Sequence, residues 1–407
     1  MKENRKGDIF MSLVNTPSGN RLHIGIFGKR NSGKSSLLNA ITGQEIALVS
    51  EVKGTTTDPV SKAMEIHPIG PCLLIDTAGF DDTGDLGNMR IEKTKAVLDK
   101  TDVAVVVFSD MQMELETQWI AMLRQRKIPI LAVVNQVDRI EQVQEIKRQI
   151  EQRFSLTPLL VSAKEKTGIS QMKHEILRLM PPDFEAQSLT GPLVQPEDVV
   201  LLVMPQDKQA PKGRLILPQV QTIRDLLDNH CVVMCVTTEQ LSTALQALAK
   251  PPKLIITDSQ AFAQVYPLKP AETLLTSFSI LLAAYKGDLS AFVKGANALD
   301  SLTDDSHVLI AEACTHAPLQ EDIGRVKIPN MLRKKYGEHL QVTVVSGSQF
   351  PKDLSEYQLI IHCGACMFNR KHVLTRVEQA EQQGVPITNY GVVLAKLTGI
   401  LDRISMQ

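Results

Sequence analysis

Aromatic residues make up only 4% of this 407-residue chain, and its 44 lysines and arginines are offset by 45 aspartates and glutamates, for a formal net charge of -1. A broad nucleic-acid footprint needs basic surface and RNA readout needs stacking aromatics, so the composition argues against a nucleic-acid partner. Long apolar runs are also missing. The longest, residues 274–285, falls short of the ~20 residues of a membrane span and is interrupted by polar side chains. The polar first 20 residues do not resemble a secretory signal. The expectation is a cytoplasmic protein in a reducing compartment, with no membrane partner. Cysteines are few as well, six in all. Cys231 and Cys235 flank Val-Val-Met in a strand-like run, which puts them roughly 13 Å apart and beyond disulfide reach. Together with Cys72 they read as core packing. With 43% hydrophobic residues the chain buries large cores, and its length fits two or three domains.

The other three cysteines are clustered with two of the nine histidines, in Cys314-Thr315-His316 and His362-Cys363-Gly364-Ala365-Cys366. Each stretch follows an apolar run, 307–311 and 359–361, so both read as the ends of buried parallel strands, where ligands gather in open α/β sheets. Cys363 and Cys366 have the Cys-x-x-Cys spacing that lets two sulfurs of one turn reach one metal centre. Cys314 arrives from a second strand. Three thiolates leave a fourth position, for which His316, His362, a carboxylate such as Glu321 or Asp322, or water all qualify. A Cys3His zinc site is closed and structural, whereas a [4Fe-4S] cluster on three cysteines keeps one iron for a weak ligand or a guest. Closed zinc needs one histidine and here two compete, which favours the cluster. A redox dithiol of Cys363 and Cys366 would leave Cys314 and both histidines unexplained.

Near the N-terminus an apolar strand runs into Gly28-Lys29-Arg30-Asn31-Ser32-Gly33-Lys34-Ser35 and then into a helical pattern. This is the Walker A pattern in its strand–loop–helix setting. Backbone N–H groups around Gly28, Asn31, Ser32, Gly33 and Ser36 wrap phosphates, Lys34 reaches the β- and γ-phosphates, and Ser35 offers a hydroxyl to Mg2+. Gly54-Thr55-Thr56-Thr57-Asp58 follows as a first switch, with Thr56 completing the Mg2+ shell. The run Asp76-Thr77-Ala78-Gly79 is a second switch, Asp76 on the metal side and the Gly79 amide facing the γ-phosphate. A buried strand, 130–134, then delivers Asn135-Gln136-Val137-Asp138. A carboxylate accepts from both N1–H and N2–H2 of guanine and finds no such pair on adenine, so Asp138 makes this a guanine site. Ser162-Ala163-Lys164 supplies the loop that supports the base. The chemistry expected of the chain is GTP hydrolysis to GDP and phosphate, positioned by Lys34, Ser35, Thr56, Asp76 and Gly79.

Helical patterns at 89–99, 115–127, 140–154 and 169–180 alternate with these strands, the signature of a parallel α/β sheet. Pro181-Pro182 and a Gly/Pro-punctuated linker end the first domain. A motif-poor second unit reads as strands at 199–204, 231–236 and 254–257 with helices at 219–229 and 239–249. A third opens with an apolar helix, 271–285, and a second helix, 289–301. It continues with strands at 307–311, 342–345, 359–361 and 385–390 and a helix at 369–383. His339 and His372 read as solvated or capping. The fold expected is three α/β domains: 1–185, a Ras-like P-loop GTPase domain; 186–268, a small α/β unit; and 269–407, a metal-cluster domain.

The nucleotide motifs together resemble the Era/TrmE/FeoB group of GTPases, over residues 22–180. That resemblance implies that Asn31 occupies the position where potassium-stimulated members carry an asparagine that binds K+; the plain alternative is a loop-capping amide. Phe80 stands where Ras-like proteins place the glutamine that orients water, and no arginine finger is evident, so intrinsic hydrolysis is expected to be slow. Gln136 stands where the group carries lysine, whose stem packs over the base and whose head ties to the P-loop. The change is expected to loosen nucleotide binding by ~1.4 kcal/mol, or tenfold. Over nearly the whole chain, the domain order and the runs Thr16-Pro17-Ser18-Gly19-Asn20-Arg21, Asp322-Ile323-Gly324-Arg325-Val326-Lys327-Ile328-Pro329, His362-Cys363-Gly364-Ala365-Cys366-Met367 and Gly384-Val385-Pro386-Ile387-Thr388-Asn389-Tyr390 resemble the [FeFe]-hydrogenase maturation GTPase family. The resemblance implies a scaffold that holds a [4Fe-4S] cluster, transiently carries a diiron subcluster made with two radical-SAM maturases, delivers it to apo-[FeFe]-hydrogenase, and forms a homodimer through its middle domain. An alternative of another class is a ribosome- or tRNA-associated GTPase with a structural zinc-binding tail.

Overall fold

The computed structural model describes residues 16–43, 60–77, 96–182, 184, 188–205, 215–313, 322–347 and 349–406. They fall into two compact units, Met1–Pro181 and Pro182–Gln407.

The first unit is built on a sheet of β1 (Leu22–Gly28), β2 (Val60–Ile66), β3 (Gly70–Asp76), β4 (Val103–Phe108), β5 (Ile130–Val134) and β6 (Leu159–Leu160), in the order β2-β3-β1-β4-β5-β6. Every residue of β1 and β4 is buried, as in strands covered on both faces. The helices are α1 (Lys34–Thr42), α2 (Glu114–Gln125), α3 (Val143–Phe154) and α4 (Ile169–Leu179). In α3 the residues Ile146, Ile150 and Phe154, four apart, form the buried stripe. All pairings are parallel except β2 with β3. The chain leaves β1 toward β3 on one side and reaches β4 on the other, so the carboxyl end of β1 is a topological switch point, where ligands bind in such sheets. Strands β2 and β4 go beyond the sequence reading.

The second unit holds two four-stranded, all-parallel sheets. One contains β7 (Val199–Val203), β8 (Val232–Val236), β9 (Leu254–Thr257) and β10 (Leu274–Ser277), in the order β10-β9-β7-β8, with helices α5 (Leu217–Asp228), α6 (Leu241–Ala247) and α7 (Phe278–Lys286). After α8 (Leu289–Ala296), the other sheet has β11 (His307–Glu312), β12 (Gln341–Ser346), β13 (Leu359–His362) and β14 (Ile387–Asn389), in the order β12-β11-β13-β14. Its helices are α9 (Ile328–Tyr336), α10 (Arg370–Gln382) and α11 (Tyr390–Leu397). One continuous apolar core takes Leu201, Ile255 and Leu275 from the first sheet and Leu309, Ile360 and Ile387 from the second. Helix α8 lies so close to β14 that a Cβ on Gly295 would stand 1.9 Å from the Ile387 carbonyl oxygen. The linker is tied down by Asp225 of α5, whose carboxylate accepts from Ser188 Oγ, Leu189 N, Thr190 N and Thr190 Oγ1.

Several expectations are corrected. Residues 271–285 are not one helix: Leu274–Ser277 pairs with β9, and α7 starts only after Ser277, whose Oγ caps Ile280 N at 3.3 Å. An apolar run buried on all sides does not reveal its period, and the sheet of β7, β8 and β9 therefore gains a strand beyond position 268. The helix expected at 289–301 ends at Ala296 and continues as a 3-10 turn, Asn297–Ser301. The strand expected at 385–390 stops at Asn389, whose Oδ1 accepts Gly391 N at 2.8 Å and starts α11. Cys72 and Cys231 are buried, but Cys235 is exposed because β8 is an edge strand.

Candidate functional site

The nucleotide motifs converge at the carboxyl ends of β1, β3 and β5. Gly28 ends β1, the loop turns back through Asn31 (φ 64) and Gly33 (φ 82), and Lys34 opens α1. A Cβ on Gly33 would lie 2.4 Å from Asn135 Nδ2, so only glycine allows this approach. Lys34 Nζ is buried in the loop and donates to the carbonyls of Gly28 and Lys29, both at 2.6 Å. Ser32 is fully buried and its Oγ has no hydrogen-bond partner among the described residues. Asn31, Ser35 and Ser36 are exposed. Asp76 is buried at the end of β3, in register with Ile26, and the neighbouring Thr77 Oγ1 donates to Ile26 O at 2.6 Å. A loop of backbone amides with a buried lysine, an orphaned hydroxyl and exposed serines at a helix start fits a phosphate–Mg2+ group.

The base side is cross-braced to this loop. Asn135 is fully buried: its Nδ2 donates to Ser32 O at 2.9 Å and Gly33 O at 3.3 Å, and its Oδ1 accepts Ala163 N at 3.2 Å. Gln136 (φ 62) donates from Nε2 to Asn31 O at 2.8 Å, so the tie to the P-loop that the family resemblance gives to a lysine head is made here by an amide. Exposed Asp138 accepts from Ser162 Oγ at 2.6 Å, which holds its carboxyl below the usual range; Lys164 is exposed beside it. One feature goes beyond the motifs. Lys29 Nζ donates to Asp110 Oδ1 at 2.9 Å and to Gln112 O, and lies 3.8 Å from Glu116 Oε2. Burial pushes the Glu116 carboxyl up to about 7.

In the second unit, register aligns Val345, Ala311, His362 and Asn389 in one row near the carboxyl ends of β12, β11, β13 and β14, with Glu312 and Ser346 paired one residue further on. Cys363 follows that row. Its Sγ accepts from Ala313 N at 3.1 Å and from Ala365 N (φ 52) at 3.4 Å, while burial pushes its pKa up to about 11. Cys366, one turn on, packs against the core that includes Leu282 of α7. Both cysteines are free thiols. A half-buried sulfur facing two amide donors, beside the end of the strand that leads to Cys314, is a donor set suited to thiolate ligation of a cluster. Among the described residues no group of three or more His, Cys, Asp or Glu side chains is placed to hold a metal.

Two buried cations flank the cysteine turn. Arg376 of α10 donates from Nη1 to His362 Nε2 at 3.0 Å and from Nη2 to Gly347 O, and it lies between the rings of Phe350 (4.8 Å) and Phe368 (4.7 Å). His362 Nδ1 bonds the Cys363 carbonyl at 2.8 Å, so both nitrogens of this candidate ligand are engaged; burial takes its pKa down to about 3. Lys286, the last residue of α7, donates to Cys366 O at 3.3 Å and Phe368 O at 2.6 Å. Burial lowers its pKa to about 8, against the opposing electrostatic effect of Cys366 and Cys363. At the other edge, Glu312 accepts from Arg325 Nε at 3.0 Å, Ser346 Oγ at 3.3 Å and Tyr390 OH at 3.4 Å. Burial raises the Tyr390 hydroxyl pKa. Asp322, a carboxylate considered as a ligand, caps Arg325 N at 2.8 Å. His339 is exposed, and His372 stacks on Phe368 with ring centres 4.0 Å apart.

Thr56, Gly79, Phe80, Cys314, His316 and Glu321 lie outside the described residues. Lys286, Arg376 and Glu312 are functional candidates that the sequence reading missed. The only signal was indirect: Arg325 and Tyr390 lie within the runs that carried the family resemblance. Lys286 and Arg376 carry no local signature.

Comparison with known proteins gives three matches to family models: a 50S ribosome-binding GTPase family over residues 23–136, the hydrogen maturase F dimerization domain over 189–287, and the hydrogen maturase F tetramerization domain over 290–406. The last two together span more than half of the chain. Among curated relatives, GTPase Der of Wolinella succinogenes is 33% identical over 39% of this chain and 36% of its own length. The tRNA modification GTPase MnmE of Flavobacterium johnsoniae is 34% identical over 39% and 35%, and that of Bordetella petrii 38% identical over 39% and 33%. The chain thus spans about a third of the length of these relatives. Among solved structures, a probable GTP-binding protein EngB is 23% identical over 39% of this chain and 97% of its own, with a TM-score of 0.33. The G domain of the T. maritima FeoB is 17% identical over 39% and 98%, with a TM-score of 0.29. No described helix is long and apolar enough to cross a membrane.

Proposed function

The chain belongs to the hydrogen maturase F family, and on that premise we propose that it is a GTP-hydrolysing scaffold that binds a [4Fe-4S] cluster and takes part in assembling and transferring the diiron subcluster of [FeFe]-hydrogenase. The observation that carries the cluster reading is Cys363: its sulfur receives two backbone N–H groups at the end of β13, beside the strand whose continuation leads to Cys314. Cys314, Cys363 and Cys366 are the proposed cluster ligands, with His316, His362 and Glu321 as candidates for the fourth position. His362 is the weakest of these, since both its ring nitrogens are engaged. When bound, the cluster supplies an iron corner open to a guest fragment.

In the first unit, Lys34 holds the β- and γ-phosphates. Ser35, Thr56 and Asp76 serve Mg2+, the Gly79 amide meets the γ-phosphate, and Asn31 is the proposed K+ residue. Asn135, Asp138 and the loop Ser162-Ala163-Lys164 hold guanine. The proposed division is 1–185 for GTP binding, 186–268 for dimerisation and 269–407 for the cluster, with the boundary at 268 moved past β10 and α7, which belong with the dimerisation unit. Partners are apo-[FeFe]-hydrogenase and two radical-SAM maturases, and GTP state gates their exchange. The tRNA- or ribosome-associated alternative draws only on the nucleotide domain, whereas residues 189–287 and 290–406 match the hydrogen maturase models.

The test is anaerobic iron, sulfide and zinc analysis of the full chain, with EPR of the dithionite-reduced protein and of Cys363→Ala. About four irons and four sulfides per chain, with a signal lost in the variant, are the expected result. One tight zinc without sulfide would refute the cluster. Retention of GTP binding and hydrolysis in Lys34→Ala would refute the nucleotide assignment.

A further inference from the structure

Lys286 is only 1% exposed, although lysine is seldom buried. Taking an ammonium out of water is unfavourable unless charged or strongly dipolar groups receive it. Its hydrogens go to the carbonyls of Cys366 and Phe368, the residues that close the Cys-x-x-Cys turn. The exchange is reciprocal. Arg370, just past that turn, donates from Nη1 to Tyr285 O at 3.0 Å and to Gly287 O at 2.9 Å, the carbonyls on either side of Lys286. Leu282, one turn earlier on α7, stands 3.7 Å from where a Cβ on Gly364 would be. The end of α7 and the cysteine turn are therefore built as one piece, with a positive charge set at their junction.

We propose that Lys286 is the buried counter-charge of the cysteine turn, fixing the turn to α7 and raising the reduction potential of the cluster held there. The inference rests on the reading of Cys314, Cys363 and Cys366 as cluster ligands. One-electron reduction by an external reductant such as dithionite adds negative charge to a site of low polarity. A fixed ammonium beside a ligand residue stabilises the reduced form more than the oxidised one. Lys286 acts here as a positioning and tuning residue.

The experiment is an EPR-monitored redox titration of the reconstituted full chain as wild type, Lys286→Met, Lys286→Gln and Lys286→Arg, with circular dichroism as the check on folding. The Met and Gln variants are expected to hold iron and sulfide but to show a reduced-to-oxidised ratio about tenfold lower at a given potential, ~59 mV for one electron. The Arg variant should stay within half of that shift. Folded neutral variants that lose the cluster while the Arg variant keeps it would also support the role. A wild-type midpoint in the neutral variants overturns it. So does an Arg variant displaced as far as Met, or a neutral variant that fails to fold, since each assigns Lys286 to packing alone. A wild-type chain that takes up no iron or sulfide instead sinks the cluster reading itself, and this inference with it.

Discussion

Replacing Glu116 by glutamine should stabilise the nucleotide-binding unit at neutral pH and remove most of its pH dependence. Glu116 sits in the first turn of α2 with 2% exposure, and its Oε2 accepts no hydrogen bond among the described residues. The cation near it among the described residues, Lys29, is 3.8 Å away and lies closer to Asp110, at 2.9 Å. Burial therefore dominates, and the carboxyl rises from 4.5 to about 7. The folded chain then holds this proton more tightly than the unfolded chain. The resulting stabilisation is full below pH 4.5 and is lost as pH rises through 7. At 1.36 kcal/mol per pH unit the interval amounts to at most ~3.4 kcal/mol. Glutamine keeps the shape without the charge, and the attraction to Lys29 is already counted in that interval. A gain of ~2 kcal/mol at pH 8, within that bound, corresponds to a urea midpoint about 1 M higher. The assay is urea unfolding of the full chain at pH 5 to 8. The single tryptophan of the chain, Trp119, is buried in the same helix and packs on Phe27, so its fluorescence reports this unit alone. A wild-type midpoint that does not fall between pH 5 and 8, or a variant that falls in parallel with it, would refute the reasoning.

Asn135→Ala strands the buried groups that its side chain satisfies and unties the P-loop from the base loop; ~3 kcal/mol is at stake. Affinity for a fluorescent GDP analogue should drop about a hundredfold. Asp138→Ala should erode the preference for GTP over ATP by at least roughly tenfold in competition binding, and an unchanged preference would place guanine recognition elsewhere. Gly295→Ala would drive a Cβ into the Ile387 carbonyl and should destabilise the second unit by ~3 kcal/mol, read as faster hydrogen exchange along β14.

What could be read from the sequence is what lies contiguous in it. The Walker A run, Asn135 to Asp138 and the cysteine turn each carry their chemistry within a few residues, and each occupies the expected strand end. The strand at 130–134 is found at the positions read for it because a short β-branched run between turns has one reading. Residues 271–285 have two: burial on every side hides the difference between β10 and α7. The rest of the candidate site is assembled from distant positions. Arg376 meets His362 across 14 residues of chain, Tyr390 meets Glu312 across 78, and Lys286 meets Cys366 across 80. Nothing in a local window marks such a lysine or arginine as buried. The reach of Gln136 to the P-loop depends likewise on its left-handed backbone, which composition does not announce.

The crossed bonds at the end of α7 bear on where this protein can be divided. The dimerization match ends at 287 and the tetramerization match begins at 290, and the lysine that grips the cysteine turn lies before the seam, while the arginine that grips back lies after it. What is inherited as two modules is, at this point, mechanically one. A fragment cut at the seam would keep every cysteine of the turn yet leave behind the helix end that holds it in shape. Any movement of α7 on subunit association would be felt directly at the sulfurs, with no intervening linker to absorb it.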